Sequence, residues 1–321
     1  MKIVIVKHST NNNKYKIEGK DFSKFKKYIY YYSLSAIGLL YFFIYHYIPM
    51  VGILIAFKQI QPFMTIQQML EAPWVGLKHF IIFMKGYYFW NILGNTFAIS
   101  FYSLIFGFPI PIILAILINE IHGSKFKKIM QTVFYMPHFL SWIIVVGLLR
   151  IVFSASDGIV NKIVMLFGKE PIFFLGDNQY IRSLIVGSGI WKEAGWNTIV
   201  YLAAIMSIDT TLYEAAIVDG VTRFQKIYYI TLPGIKFAIS LVLIMSCGRL
   251  LNAGFERVIL LYSPATYTKA DIIDTYVYRA SFSDMQYSFA AAVNLFKSAI
   301  SLILVLSANL ISKKLGEEGI W

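Results

Sequence analysis

The sequence predicts an all-α integral membrane protein with six transmembrane helices, and three observations carry that prediction. Of the 321 residues, 58% are hydrophobic and only 14% charged, against about 45–50% and about 25% in soluble domains. Six apolar runs, at about 28–57, 91–118, 133–153, 180–206, 234–253 and 288–312, reach the roughly 20 residues a helix needs to cross the hydrocarbon layer. Basic residues gather on alternate connections between these runs.

Residues 1–27 form a basic tail with eight lysines. The apolar stretch after them is too long for a signal-peptide core and lacks a small-residue cleavage site, so it reads as a retained first helix. Pro49 and Gly52 are expected to break that run near its outer end, leaving an interfacial stretch before Lys58. Pro109 and Pro111 are expected to interrupt the second run in the same way, either as hinges or as ordinary membrane-helix irregularity.

Tyr28, Tyr30, Tyr31 and Tyr32, and likewise Tyr87, Tyr88, Phe89 and Trp90, sit where helix ends would meet headgroups. The connections 119–132 (Lys125, Lys127, Lys128) and 207–233 (Arg223, Lys226) share one face with the tail and with Lys313 and Lys314 of the C-terminal tail 313–321. That face is expected to be cytoplasmic, with both termini on it. The opposite connections, 58–90, 154–179 and 254–287, are mixed in charge, with Lys58, Lys78 and Lys85 in the first. A net charge of +12 is thereby accounted for without nucleic acid as a partner. The single cysteine, Cys247, lies in an apolar run, and the five histidines show no paired metal-ligand spacing, so neither a disulfide scaffold nor a metal site is expected.

The most informative stretch is the 207–233 connection. Thr211 and Glu214 have the spacing of a capping box, with Asp209 as an alternative cap, and Gly220 stands where a left-handed residue would end the helix. A second helix is expected from about Thr222, with Phe224, Ile227 and Tyr228 on one face and Pro233 stopping it. Ala215 and Ala216 permit close approach, so the whole reads as an amphipathic docking hairpin.

Glu214, Ala215, Ala216, Gly220, Ile230, Leu232 and Pro233 stand at a spacing that resembles the EAA loop of permease subunits in binding-protein-dependent ABC importers. Seven such fixed positions arise by chance at below about one in 10⁷ per starting position. Trp74 to Leu77 with Asn95 and Thr96, Tyr135 to Phe139, and Leu251 to Glu256 resemble the carbohydrate-uptake branch. Asp271 to Tyr276 and Phe296 to Ser298 are similar to its aldouronate and alginate-oligosaccharide type.

The resemblance implies a MetI-like permease domain over 28–312, paired with a second permease. It further implies two ATPase subunits that carry the ATP and Mg, and an extracytoplasmic solute-binding protein. The permease itself would bind no cofactor and catalyse nothing. By the same likeness Glu214, Ala215, Ala216, Asp219, Gly220, Phe224, Leu232 and Pro233 would couple it to an ATPase.

Ionisable residues within membrane runs are candidates for function, because a charge at the bilayer centre costs at least about 2.5–3.5 kcal/mol. Arg150 and Arg249 lie in the outer parts of their runs, within snorkelling reach of water, and Lys297 lies deeper. Lys192 and Glu193 either neutralise each other or bracket a helix break next to Gly195. Trp191, Trp196, Asn197, Tyr201, Asn252 and Asn294 are side chains that stack on sugar rings or bond hydroxyls, although any one of them also serves as packing. With Lys192, Arg249 and Lys297 they outline an expected path for an oligosaccharide, acidic if the cations meet carboxylates.

An ABC permease for a non-sugar solute shares the coupling loop. An ion-coupled secondary transporter would show inverted repeats or buried acidic coupling sites, and a membrane enzyme would show clustered carboxylates or a nucleophile. Neither pattern is present, and the chain has no phosphate-binding Gly-rich lysine motif.

Overall fold

The structure, a computed structural model, describes residues 22–314; residues 1–21 of the expected basic tail and 315–321 of the expected C-terminal tail lie outside the described residues. The chain divides into two compact units, Met1–Leu54 and Ile55–Trp321.

In the first unit, the helix Phe22–Phe42 passes through a π turn, Phe43–Tyr47, into Ile48–Met50. Pro49 itself sits in a helical turn, but the α-helix ends at Met50 and gives way to a 3-10 segment, Val51–Phe57, that includes Gly52, within one apolar span of 30 residues, Tyr28–Phe57. Pro49 fits for a local reason: Ile48 donates back to the Phe43 carbonyl, five residues away, and this wider turn accommodates a ring that lacks an N–H.

In the second unit the described residues form helices and no strand. The spans Phe89–Asn119 and Tyr287–Leu310 are long and apolar enough to cross a membrane alone. Pro109 and Pro111 leave the first of these nearly continuous, interrupted only at Phe108. Both prolines fall in the first turn of the Pro109–Asn119 segment, where backbone N–H groups have no partner within that segment.

Three bent helix pairs are the other candidate spans: Ser124–Phe139 with Trp142–Val152 at 100°, Ile181–Met206 with Thr210–Val218 at 71°, and Arg223–Gly234 with Lys236–Gly248 at 60°. The expected run 133–153 is thus two helices. Pro137 tightens Met136–Phe139 into a 3-10 turn, and Ser141 restarts the chain by accepting from the Ile144 amide. Continuous apolarity hid this break, because Met136, Pro137, Phe139 and Leu140 of the bend are as apolar as the helices on either side.

Ile181–Met206 is the central pillar, and half of its residues are buried. Near one end Ile185 packs with Ile99, Val258 and Ile272; near the other Tyr201, Leu202 and Ile205 pack with Ala115, Ile118 and Ile235. Gly195 does not break it. A Cβ there would lie 1.9 Å from the Phe134 carbonyl oxygen, so glycine allows the pillar to press directly on the neighbouring backbone. Ile143, Ile151, Leu302 and Ile303 face outward, as lipid-solvated surfaces require.

Candidate functional site

The hairpin extends from the end of the pillar. Asp209 caps its first helix, Thr210–Val218, by accepting from the Thr211 amide at 2.9 Å. The Thr211–Glu214 capping box does not form. Thr211 already lies inside the helix, and a carboxylate one residue before the first turn bonds the free amides more strongly and complements the helix dipole. Glu214 is therefore released from structural duty; it is exposed and makes no hydrogen bond or ion pair among the described residues.

At the other end of this helix Gly220 has φ of +70°, its N–H reaches the Ile217 carbonyl, and the Val221 N–H reaches the Ala216 carbonyl. This is a Schellman closure, and it needs glycine at the left-handed position. Thr222 and Gln225 cap the second helix reciprocally.

The second helix passes through a π turn, Ile227–Thr231, and ends at Gly234, one residue beyond Pro233, where the chain bends by 60° into Lys236–Gly248. Tyr213 and Thr231 bond through their hydroxyls at 3.0 Å and tie the two helices together. Ala216 is buried and Leu232 half-buried, whereas Ala215, Asp219, Phe224 and Pro233 are exposed. Ile217, Val218 and Phe224 are exposed beside exposed Glu214, Asp219 and Arg223, the composition of a docking face, while Leu212, also exposed, lies about 140° around the first helix from Ile217.

The expected transport-path residues do not converge. Trp191 and Tyr201 each lie about 140° around the helix from Trp196. Tyr201 is buried among Ala115, Ile118 and Ile235 and belongs to the core, not to a path. Lys192 is buried too: its ammonium donates to the His138 carbonyl at 2.6 Å and to Glu193 at 3.3 Å, near the Trp142 ring. Glu193 meets His138 Nδ1 at 2.8 Å, and the His138 ring stacks on Trp196 at 4.4 Å. Lys192 and Glu193 therefore neutralise each other and fasten the bend at 136–141 to the pillar. Trp191, Trp196, Asn197, Arg249, Asn252 and Asn294 are exposed. Arg150 is exposed and donates to the Leu260 carbonyl at 2.9 Å.

Lys297 is not a free cation, because its ammonium pairs with Asp274 at 2.6 Å. The motif residues around it form a network at the end of the bundle away from the hairpin. Asp271 takes two hydrogen bonds from Arg279, at 2.9 and 2.5 Å, and one from Thr275. Arg279 also lies over the Tyr267 ring at 4.5 Å. Burial works against the Arg279 charge, but the Asp271 bonds outweigh it and hold the guanidinium above its ordinary range.

Asn95 donates to the carbonyls of Tyr267, Thr268 and Asp271 and accepts from Arg182, while Thr96 accepts from the Ile273 amide. Asn95, Thr96, Asp271, Asp274 and Lys297 are thus one structural fastening.

One residue escaped sequence reasoning. Arg257 donates to Ser103 and to the Ala253 carbonyl, both neutral, in space left by Gly189, whose Cβ would lie 1.5 Å from the guanidinium. Arg257 follows the family-like run by one residue and sat in a segment read as an outer connection, so no intramembrane charge signal marked it.

Comparison with known proteins gives this geometry its setting. Residues 107–317 match the family described as binding-protein-dependent transport system inner membrane component. The chain is 45% identical, over 92% of its length and 91% of the relative, to the polygalacturonan/rhamnogalacturonan transport system permease protein YteP of Bacillus subtilis (strain 168). It is 43% identical to Protein LplB of the same organism, over 90% of each chain. A crystal structure of a bacterial alginate ABC transporter, in complex with an alginate pentasaccharide-bound periplasmic protein, contains a chain that superposes with a TM-score of 0.85. That chain is 39% identical, with 94% of this chain and 99% of that one covered. The chain is therefore a member of the binding-protein-dependent transport system inner membrane components, with the fold of an ABC importer permease.

Proposed function

We propose that this chain is one of two homologous permease subunits of an ATP-driven importer in a bacterial cytoplasmic membrane, with both termini cytoplasmic, and that it passes an acidic oligosaccharide. An extracytoplasmic solute-binding protein delivers the sugar. Two ATPase subunits hold the ATP and Mg and receive the hairpins. The observation that carries this reading is the hairpin: a Schellman-closed helix offering exposed Leu212, Ile217, Val218 and Phe224 beside a Glu214 with no intramolecular task. Inverting the permease from 99:1 to 1:99 takes about 5.5 kcal/mol of differential binding, which a closed, rigid hairpin can transmit.

The acidic substrate is supported by the relatives, which are named for polygalacturonan, rhamnogalacturonan and alginate. The distribution of charge agrees. Lys192 and Lys297 are paired within the chain and Arg257 is within electrostatic reach of Glu193, whereas Arg249 is exposed without an acidic partner among the described residues. An exposed arginine suits the carboxylates of a uronate chain, and the exposed Trp191 suits its sugar rings.

Affinity purification from native membranes in mild detergent tests the assembly: a second six-helix permease and an ATPase are expected to co-purify. Recovery of the chain alone, active in ion-driven uptake, would overturn the proposal. For the substrate, Arg249→Ala is expected to reduce uptake of acidic oligosaccharides more than neutral ones, and equal loss would contradict the acidic reading.

A further inference from the structure

A groove of about 620 Å³ opens between the helices Phe89–Gly107 and Ile181–Met206, and its lining is sorted by polarity. Arg182 and Lys269, with Asn178, Gln179 and Ser183, stand toward one end, Phe106, Val186 and Ile190 line the other, and Tyr102 lies between, close enough to act on the Arg182 charge. Arg182 is the second residue of the pillar and Ile190 lies eight residues on, about 12 Å deeper along the axis. The contact of Gly107 with Ile190 places the Phe106 region at the same depth. The cationic end therefore coincides with the membrane boundary away from the hairpin, and the apolar end points into the hydrocarbon.

The two cations have no carboxylate partner. Arg182 donates only to Asn95 Oδ1 and to the Lys269 carbonyl, and the Lys269 ammonium is exposed with no bond among the described residues. No acidic residue lines the groove. Of the acidic groups nearby, Asp177 accepts from the Gln179 amide at 2.8 Å and Asp271 is taken up by Arg279. A soluble anion would leave the apolar length unfilled, and a sugar chain would gain nothing from it. A molecule with a phosphate at one end and a hydrocarbon chain at the other matches both halves.

We propose that this groove binds one anionic glycerophospholipid, with its phosphate on Arg182 and Lys269 and an acyl chain along Tyr102, Phe106 and Ile190. Each cation near a phosphate is worth about a fivefold change in affinity.

The test is native mass spectrometry of the protein, purified in mild detergent with the subunits it retains and offered equal amounts of phosphatidylglycerol and phosphatidylethanolamine. Retention of phosphatidylglycerol in preference is expected. Lys269→Gln should lower that preference about fivefold. Gly187→Trp, at a lining position where a Cβ meets no atom within 4 Å, should fill the groove and abolish the preference. Lys162→Gln, an exposed cation outside the groove, should leave it unchanged. An unchanged preference in Lys269→Gln and Gly187→Trp, or an equal fall in Lys162→Gln, would overturn the site. Loss of a partner subunit from the Gly187→Trp protein would also overturn it, since the groove would then be a protein interface.

Discussion

At the end of the bundle formed by the 254–287 connection, the buried carboxylates and amides are spent on neighbouring groups. Asp271 bonds Arg279 and Thr275, Asp274 bonds Lys297, and Asn95 reaches three carbonyls. In the hairpin at the other end, Glu214 and Asp219 stay exposed while Leu212, Val218 and Phe224 face outward. A buried polar network is rigid only when every member is satisfied, whereas a surface that must meet a partner keeps its bonding capacity open. The first region holds helices in register, and the second is shaped for an external contact. Substitutions should therefore separate stability from coupling.

The largest effect on stability is expected from Asp271→Asn, which removes the nearly buried carboxylate and leaves the charge of the largely buried Arg279 guanidinium unpaired. A loss of about 3–5 kcal/mol is expected for breaking such a pair, read as a lowered denaturation midpoint in detergent. A midpoint unchanged from wild type would mean that the network is ornamental and would remove the contrast.

Asn95→Ala comes next. Three backbone carbonyls lose a donor and Arg182 loses an acceptor, for about 1–3 kcal/mol. Uptake per folded complex should be retained, and measuring it against the amount of assembled protein checks this.

Gly220→Val inverts the pattern. No atom lies within 4 Å of a Cβ at this position, so no clash arises, but φ of +70° strains a β-branched residue by about 1–2 kcal/mol. The global midpoint should move little while coupling fails.

The smallest effect belongs to Asp209, whose carboxyl is held below its ordinary value of 3.8 by the Thr211 amide and, secondarily, by the Thr211 side chain. Because the folded value is the lower one, the stabilisation is complete above about pH 4 and is withdrawn as pH falls through the folded value. Hydrogen-exchange protection of the 211–214 amides should fall over that window in the wild type. Asp209→Asn, which still accepts, should lose that pH dependence.

The six spans and the hairpin were legible because apolar length and the Gly220 stop are local signals. The exact cap was not, since Asp209 and Thr211 compete for the same amides and only geometry decides between them. Pro49 and Pro233 each lie one residue before an α-helical segment ends, but the π turn that precedes each is an adjustment that residue type does not announce.

The path was the least legible part. Lys192, Lys297 and Tyr201 were singled out as residue types suited to binding, but their partners His138, Asp274 and Ala115 are 54, 23 and 86 positions away in sequence. Pairing at such distances is a property of the fold. Arg257 was missed for the complementary reason, because the glycine that makes room for it, Gly189, lies on another helix.

The central claim is that the hairpin transmits ATP use to the permease. It is tested most directly by binding-protein-stimulated ATP hydrolysis and sugar uptake in the assembled complex carrying Gly220→Val, beside Asn95→Ala at equal amounts of folded protein. Gly220→Val should lose stimulation and uptake together while Asn95→Ala keeps both. Intact stimulation and uptake in Gly220→Val would contradict it.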